Sequence, residues 1–382
     1  MEFPEPEKLP PRRGWPDPLE MLDGRKITTA DGWREERRPE LAALFRHYMY
    51  GYEPPTPDNI RSELREEVPW LKGKALLREY RVTYGPPGTP PMNLLVVRPS
   101  APAGPVPLFL GVNFEGNAKV RTEHDVRPGA WPADLIVSRG FGFATFHCAD
   151  LDPDREDFTD GMHPHYFRPG QAAPAPTDWG TIAAWAWGLS RAADVLITAG
   201  ETDTSRLCAI GHSRLGKTAL LAAALDSRFA LCVPNQAGCG GTAPSRGTVG
   251  ESVKSINENF PHWFNDVFPR FGDAVDRLPF DQHCLVALVA PRPVLFLAAE
   301  GDQWANPAGQ FEVLKAAEPV YRLLGAKGLG VGKMPGLDVM VGETLGYRIR
   351  PGQHSLGPGD WSVALDFASS RLRLAPAPPS VA

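Results

Sequence analysis

The apolar positions of this chain fall mostly into short continuous runs, and those runs alternate with segments of helical spacing. Residues 106–114, 141–148, 207–210, 230–234 and 294–299 are near-continuously apolar, the pattern of strands buried on both faces of a sheet. Residues 76–84 and 92–97 read as two further strands joined by a turn at Gly85 to Gly88. Helical spacing appears in residues 37–50, with Leu41, Leu44, Phe45 and Met49 on one stripe. It recurs in 178–196, where Ile182, Trp185, Leu189 and Ala193 line up, and shorter helices are expected at 134–137, 283–289 and 361–372. Alternating strands and helices predict an α/β fold: a three-layer sandwich with a central, mostly parallel sheet covered by helices on both faces.

Bulk properties narrow the classes of function. The 382 residues are 42% hydrophobic with a net charge of -5, enough for a large core and unsuited to nucleic acid as the main partner. No apolar run approaches the ~20 residues of a membrane-spanning helix. Met1 to Glu7 shows no basic segment followed by an apolar one. Five cysteines in a chain of this length do not make a disulfide scaffold; Cys148, Cys208 and Cys232 sit in apolar runs, and only Cys239, between glycines, falls in an expected site loop. Residues 150–171 form a long polar segment with His163 and His165, but no partner has metal-ligand spacing, so a solvated lid or rim is expected.

One stretch carries chemistry. The run 207–210 breaks at Gly211, and residues 215–225 are rich in Ala and Leu, which favour helix. Ser213 therefore stands at a sharp strand-to-helix turn, the arrangement of an α/β-hydrolase nucleophile elbow. The usual glycine two residues after the serine is replaced by Leu215, with Gly216 one place later. A serine nucleophile in this fold takes its acid and then its histidine from later in the chain. His354 lies between the strand expected at 345–350 and the helix at 361–372, and Asp302 follows the strand at 294–299. The loop at Phe114 to Asn117 is where such folds often supply a second oxyanion donor.

These motifs resemble the glucuronoyl esterases of carbohydrate esterase family 15, chiefly their bacterial branch. The resemblance rests on Gly211-His212-Ser213-Arg214-Leu215-Gly216-Lys217, the upstream Trp185 to Arg191, Gly238 to Gly241, Phe260 to Phe264, Asp281 to His283, Ala290 to Pro293 and Arg350 to His354. It implies a single α/β-hydrolase catalytic domain over 35–375, with 1–34 wrapping the surface and 376–382 as a tail. It also implies a serine esterase, free of cofactor and metal, that cleaves the ester between glucuronic or 4-O-methyl-glucuronic acid on xylan and an alcohol of lignin. By that resemblance Ser213 is the nucleophile, His354 the base and Arg214 the oxyanion cation, while Lys217, Glu251 and Trp304 hold the sugar acid. Many members carry a Glu where this chain has Gln236, and others an Asp where it has Asp302, so Asp302 is expected as the acid, and Gln236 as a substrate-binding residue that hydrogen-bonds near the histidine. The implied partner is glucuronoxylan or a lignin–carbohydrate ester, with no nucleic acid or membrane; a monomer is expected, and a secreted or periplasmic location only because the substrate is too large to import. The rivals are an acetyl xylan esterase of the same fold, a non-catalytic carbohydrate-binding homologue, and an intracellular peptidase of related fold.

Overall fold

A computed structural model describes residues 3–101, 104–123 and 131–372. The strands are β1 Arg61–Trp70, β2 Ala75–Thr83, β3 Met92–Pro99, β4 Leu108–Asn113, β5 Gly142–His147, β6 Leu207–His212, β7 Leu231–Asn235, β8 Val294–Ala299, β9 Val341–Gly342 and β10 Leu345–Arg350. They form one ten-stranded sheet in the order β1-β2-β3-β5-β4-β6-β7-β8-β10-β9. The run from β5 to β10 in that order is parallel, and antiparallel pairs close both edges.

Period-2 alternation splits the apolar strand residues between two cores. Along β6, Leu207 and Ala209 face one core while Cys208 and Ile210 face the other; along β8, Val294, Phe296 and Ala298 oppose Leu295 and Leu297. The larger core lies under the helices Arg38–Phe45, Thr181–Thr198, Arg214–Leu225, Gln282–Val289 and Pro307–Leu323, and the smaller under Ala133–Ser138 and Pro358–Arg371. This is the open, mostly parallel sheet of an α/β-hydrolase. Its crossover connections leave the carboxyl ends of the parallel strands along one edge, where ligands bind in such sheets.

Several elements differ from the sequence reading. The helix expected from residue 37 is part of a helical run that begins at Ala30 and passes through π-turns at Trp33–Arg37 and Arg46–Tyr50. Edge strand β1 lacks apolar alternation because it is largely exposed, and so it left no signal. The amino-terminal segment, expected to wrap the surface, enters the core: Leu9, Met21 and Ile27 are buried, and His283 Nε2 donates to Pro16 O at 2.7 Å. The tail at 376–382 lies outside the described residues.

Segment 150–171 is not a solvated rim throughout. Asp152 and His163 are fully buried, with His163 Nδ1 2.9 Å from Asp152 Oδ1, while Thr181 Oγ1 donates to Asp152 Oδ2 at 2.5 Å. Trp185, expected as core, is fully buried and donates its indole N–H to Asp152 O.

Candidate active site

Ser213 sits in the turn between β6 and the helix Arg214–Leu225 at φ 58°, ψ -126°, a backbone conformation unusual for a residue with a side chain. The turn closes because Gly211 lacks a side chain: a Cβ there would lie 2.0 Å from Leu215 O. Gly216 is also tightly packed, its missing Cβ position 3.0 Å from both Asn235 O and Ala237 Cβ. These contacts account for the displaced glycine, since it is position 216, not 215, that meets the β7 loop. Lys217 N and Gly216 N bond back to Ser213 O, whereas the first N–H groups of a helix have no intrahelical acceptor and face whatever stands above the serine.

The predicted site residues come from separate strand ends. Asp302 follows β8 and His354 follows β10, and His354 Nδ1 lies 2.6 Å from Asp302 Oδ2. Since a carboxylate only accepts, Nδ1 carries the proton, which leaves Nε2 as the basic nitrogen. Ser213, Arg214, Lys217, Gln236, Glu251, Asp302, Trp304 and His354 all line one cavity of about 320 Å³, closed by Phe260 and Trp263. A larger cleft of about 680 Å³, bounded by Arg46, Glu53, Trp187, Arg191 and Arg228, lies elsewhere; its arginines are ion-paired and no predicted site residue lines it.

Local electrostatics separate the charges. Lys217 is buried and donates to Ala237 O at 2.7 Å; burial pulls its pKa down, opposed by the Glu251 charge. Burial pushes the Glu251 carboxyl up, against the pull of Lys217 and a hydrogen bond from Trp304. Trp304 is 57% exposed and presents its ring at the mouth. Gln236 lines the cavity, but both ends of its amide are engaged by the backbone of Ser355.

Two participants escaped the sequence reading. Asp154, in the segment after β5, binds the Arg214 guanidinium through Oδ2, while Oδ1 accepts from His262 Nε2 at 2.9 Å and Trp263 Nε1 at 2.8 Å. Burial alone would raise this carboxyl, but those hydrogen bonds and the Arg214 charge outweigh it and hold its pKa at about 2. The guanidinium also lies 4.6 Å from the Trp263 ring centroid, 5.1 Å from Phe260 and 5.4 Å from Phe114, so it is fixed in an aromatic cage. The second is His212, whose ring is 4.3 Å from that of His354 and whose Nδ1 donates to Asn235 Oδ1 at 2.5 Å. Burial, then the neighbouring His354, push its pKa down to about 4, so it stays neutral near pH 7. Among the described residues, no group of His, Cys, Asp and Glu is placed to hold a metal ion, and no helix is long and apolar enough to cross a membrane.

Comparison with known proteins gives the family. The family model described as glucuronyl esterase, fungi, matches residues 135–325. A carbohydrate esterase from an unknown prokaryotic organism is 39% identical over 390 residues, covering 95% of this chain and 90% of that one. A 4-O-methyl-glucuronoyl methylesterase of Schizophyllum commune is 29% identical, over 81% of this chain and 73% of its own length. The structure of a glucuronoyl esterase from Solibacter usitatus superposes with a TM-score of 0.89 at 36% identity, covering 96% of this chain and 99% of that chain. A structure from a marine bacterial metagenome, described as a promiscuous esterase of carbohydrate esterase family 15, gives a TM-score of 0.87 at 38% identity over the same share of both chains. The chain belongs to the glucuronoyl esterases, carbohydrate esterase family 15.

Proposed function

We propose that this protein is a serine carboxylic-ester hydrolase that cleaves the ester between (4-O-methyl-)D-glucuronic acid of glucuronoxylan and a lignin alcohol. The observation that carries the reading is the convergence on one cavity of Ser213, the His354–Asp302 pair, a caged cation, a buried Lys217 and the half-buried Glu251 whose charge it feels. The substrate puts a sugar on the acyl side of the scissile bond. A pocket for it needs polar groups for hydroxyls and an apolar face for the ring, and Lys217, Glu251 and Trp304 supply these types.

The reaction runs in two acyl transfers. Ser213 Oγ attacks the uronoyl carbonyl as its proton passes to His354 Nε2, and Asp302 holds the resulting imidazolium. Negative charge on the carbonyl oxygen is met by Arg214 and by the N–H groups opening its helix, a stabilisation worth about 3 kcal/mol for a well-placed donor. The C–O bond to the alcohol breaks and the alcohol leaves with the histidine's proton. Water, deprotonated by His354, then attacks the acyl-enzyme and releases glucuronate. A secreted or periplasmic location and a monomeric state complete the proposal, the former because the polymer is too large to import.

A structural neighbour is described as promiscuous, which keeps other esters in view, and acetyl esters are the rival to test. Hydrolysis of benzyl D-glucuronate against 4-nitrophenyl acetate, with Ser213→Ala as control, separates the two. Ser213-dependent cleavage with the glucuronate strongly preferred supports the uronoyl reading. Preference for acetate discards the substrate while keeping the hydrolase. Inactivity of folded protein on both moves the assignment to a carbohydrate-binding homologue.

A further inference from the structure

We propose that Gln236 is a positioning residue whose uncharged amide clamps the segment that carries His354. This rests on the reading of Ser213, His354 and Asp302 given above. Gln236 is 1% exposed, and its side chain closes a two-point contact with the backbone of the residue next to the histidine. Ser355 N donates to Gln236 Oε1 at 3.0 Å, and Gln236 Nε2 donates to Ser355 O at 3.0 Å. A backbone N–H only donates and a carbonyl only accepts, so the amide has one orientation that satisfies both. The clamp is itself anchored: Gln236 N donates to Leu297 O at 3.1 Å, tying the residue to β8. Gln236 also holds φ at 46°, in the left-handed region that a side-chain-bearing residue seldom adopts, and the paired bonds compensate that strain.

The His354 ring needs such support. It is exposed in its outer part, and its hydrogen bond to Asp302 is one contact on a turn without regular structure. Ser355 O is gripped a second time by Arg350 Nη2 at 2.9 Å, and Arg350 is in turn held by Asp360. Ser355 is thus fixed from two sides, and the histidine beside it is held in reach of Asp302. A carboxylate at position 236 fails at this task, because one of its oxygens would face the Ser355 carbonyl, acceptor against acceptor. The amide is the required group, and its atoms are spent on the loop, not on the sugar.

The test compares the full-length wild type with Gln236→Glu, Gln236→Ala and Asp302→Asn on benzyl D-glucuronate, recording kcat, KM, the pH profile of kcat/KM, and Tm. The clamp predicts that Gln236→Glu lowers kcat by roughly 10- to 100-fold with KM changed less than about threefold, and that Gln236→Ala falls less. For Gln236→Ala it also predicts that the acid limb of the profile moves to lower pH, since a loosened His354–Asp302 contact stabilises the imidazolium less, whereas the charge added in Gln236→Glu acts the other way and that variant is read on kcat and KM. A side chain with only a fold-stabilising role would lower Tm and leave that limb in place, which overturns the proposal. A rise in KM at constant kcat makes Gln236 a sugar contact and overturns it, as does Gln236→Glu turning over like wild type. Wild-type turnover by Asp302→Asn would remove the acid assignment and the clamp together. A collapsed Asp302→Asn beside an unaffected Gln236→Glu would remove the clamp alone.

Discussion

A carboxylate that accepts from Arg214, His262 and Trp263 at once has little freedom left, and neither has the guanidinium it holds. Asp154→Asn keeps the size of the side chain but removes its charge, so Arg214 loses the ion pair that aims it. A fall in kcat/KM of roughly 10- to 100-fold is expected, short of the loss from removing a whole oxyanion donor. Steady-state kinetics of Asp154→Asn beside Arg214→Ala check this, and the double variant should lose little more than Arg214→Ala. The same carboxyl makes stability depend on pH. Its folded pKa lies below the ordinary 3.8, at about 2, so its contribution is complete above about pH 4 and is lost as pH falls toward 2. That contribution amounts to about 2 kcal/mol. Urea unfolding at stepped pH should show wild type losing about that much more than Asp154→Asn across this window. Nothing local in the sequence marks Asp154. Its partners stand more than a hundred residues away, at His262 and Trp263, and a polar segment without periodicity reads as a solvated loop until those partners are placed.

At the scale of elements, the elbow depends on the absence of atoms. A methyl group at Gly211 would overlap the Leu215 carbonyl, so Gly211→Ala should destabilise the protein by several kcal/mol and abolish turnover. Gly359, in the first turn of Pro358–Arg371, has nothing within 4 Å of the position a Cβ would take. Gly359→Ala should therefore raise stability by about 0.4–1 kcal/mol, and thermal melts of the two variants read both signs. The elements easiest to read were the buried strands. β8 was expected at 294–299 and is observed there, because a strand covered on both faces leaves an unbroken apolar run with turn residues at each end. Edge strand β1 is exposed over its first half and only half-buries Val68 and Trp70 near its end, and it was invisible for that reason. The site motifs were legible because the elbow and its histidine are short local patterns, whereas the Arg214 cage is a tertiary object assembled from Phe114, Phe260 and Trp263.

For the whole molecule, the proposed active site is a property of the sheet edge: the segments after β5, β6, β7, β8 and β10 deliver Asp154, Ser213, Gln236, Asp302 and His354 to one place. The helices over the larger core are held in turn by the amino-terminal segment, which buries Leu9, Met21 and Ile27 and bonds through Pro16 O and Pro18 O to His283 and Arg37. Each such side chain is worth about 1.5–3 kcal/mol when buried. Removal of residues 1–28 should lower Tm by at least about 5 °C, and a truncated chain melting with the full one would make the segment dispensable. The central claim, that a serine machine completed by Asp302 acts on uronoyl esters, meets its most direct test in one number. That number is kcat/KM of Asp302→Asn on benzyl D-glucuronate, set against wild type and Ser213→Ala. A loss of roughly 10³- to 10⁴-fold with the fold intact is the predicted result, and activity within tenfold of wild type would contradict the account.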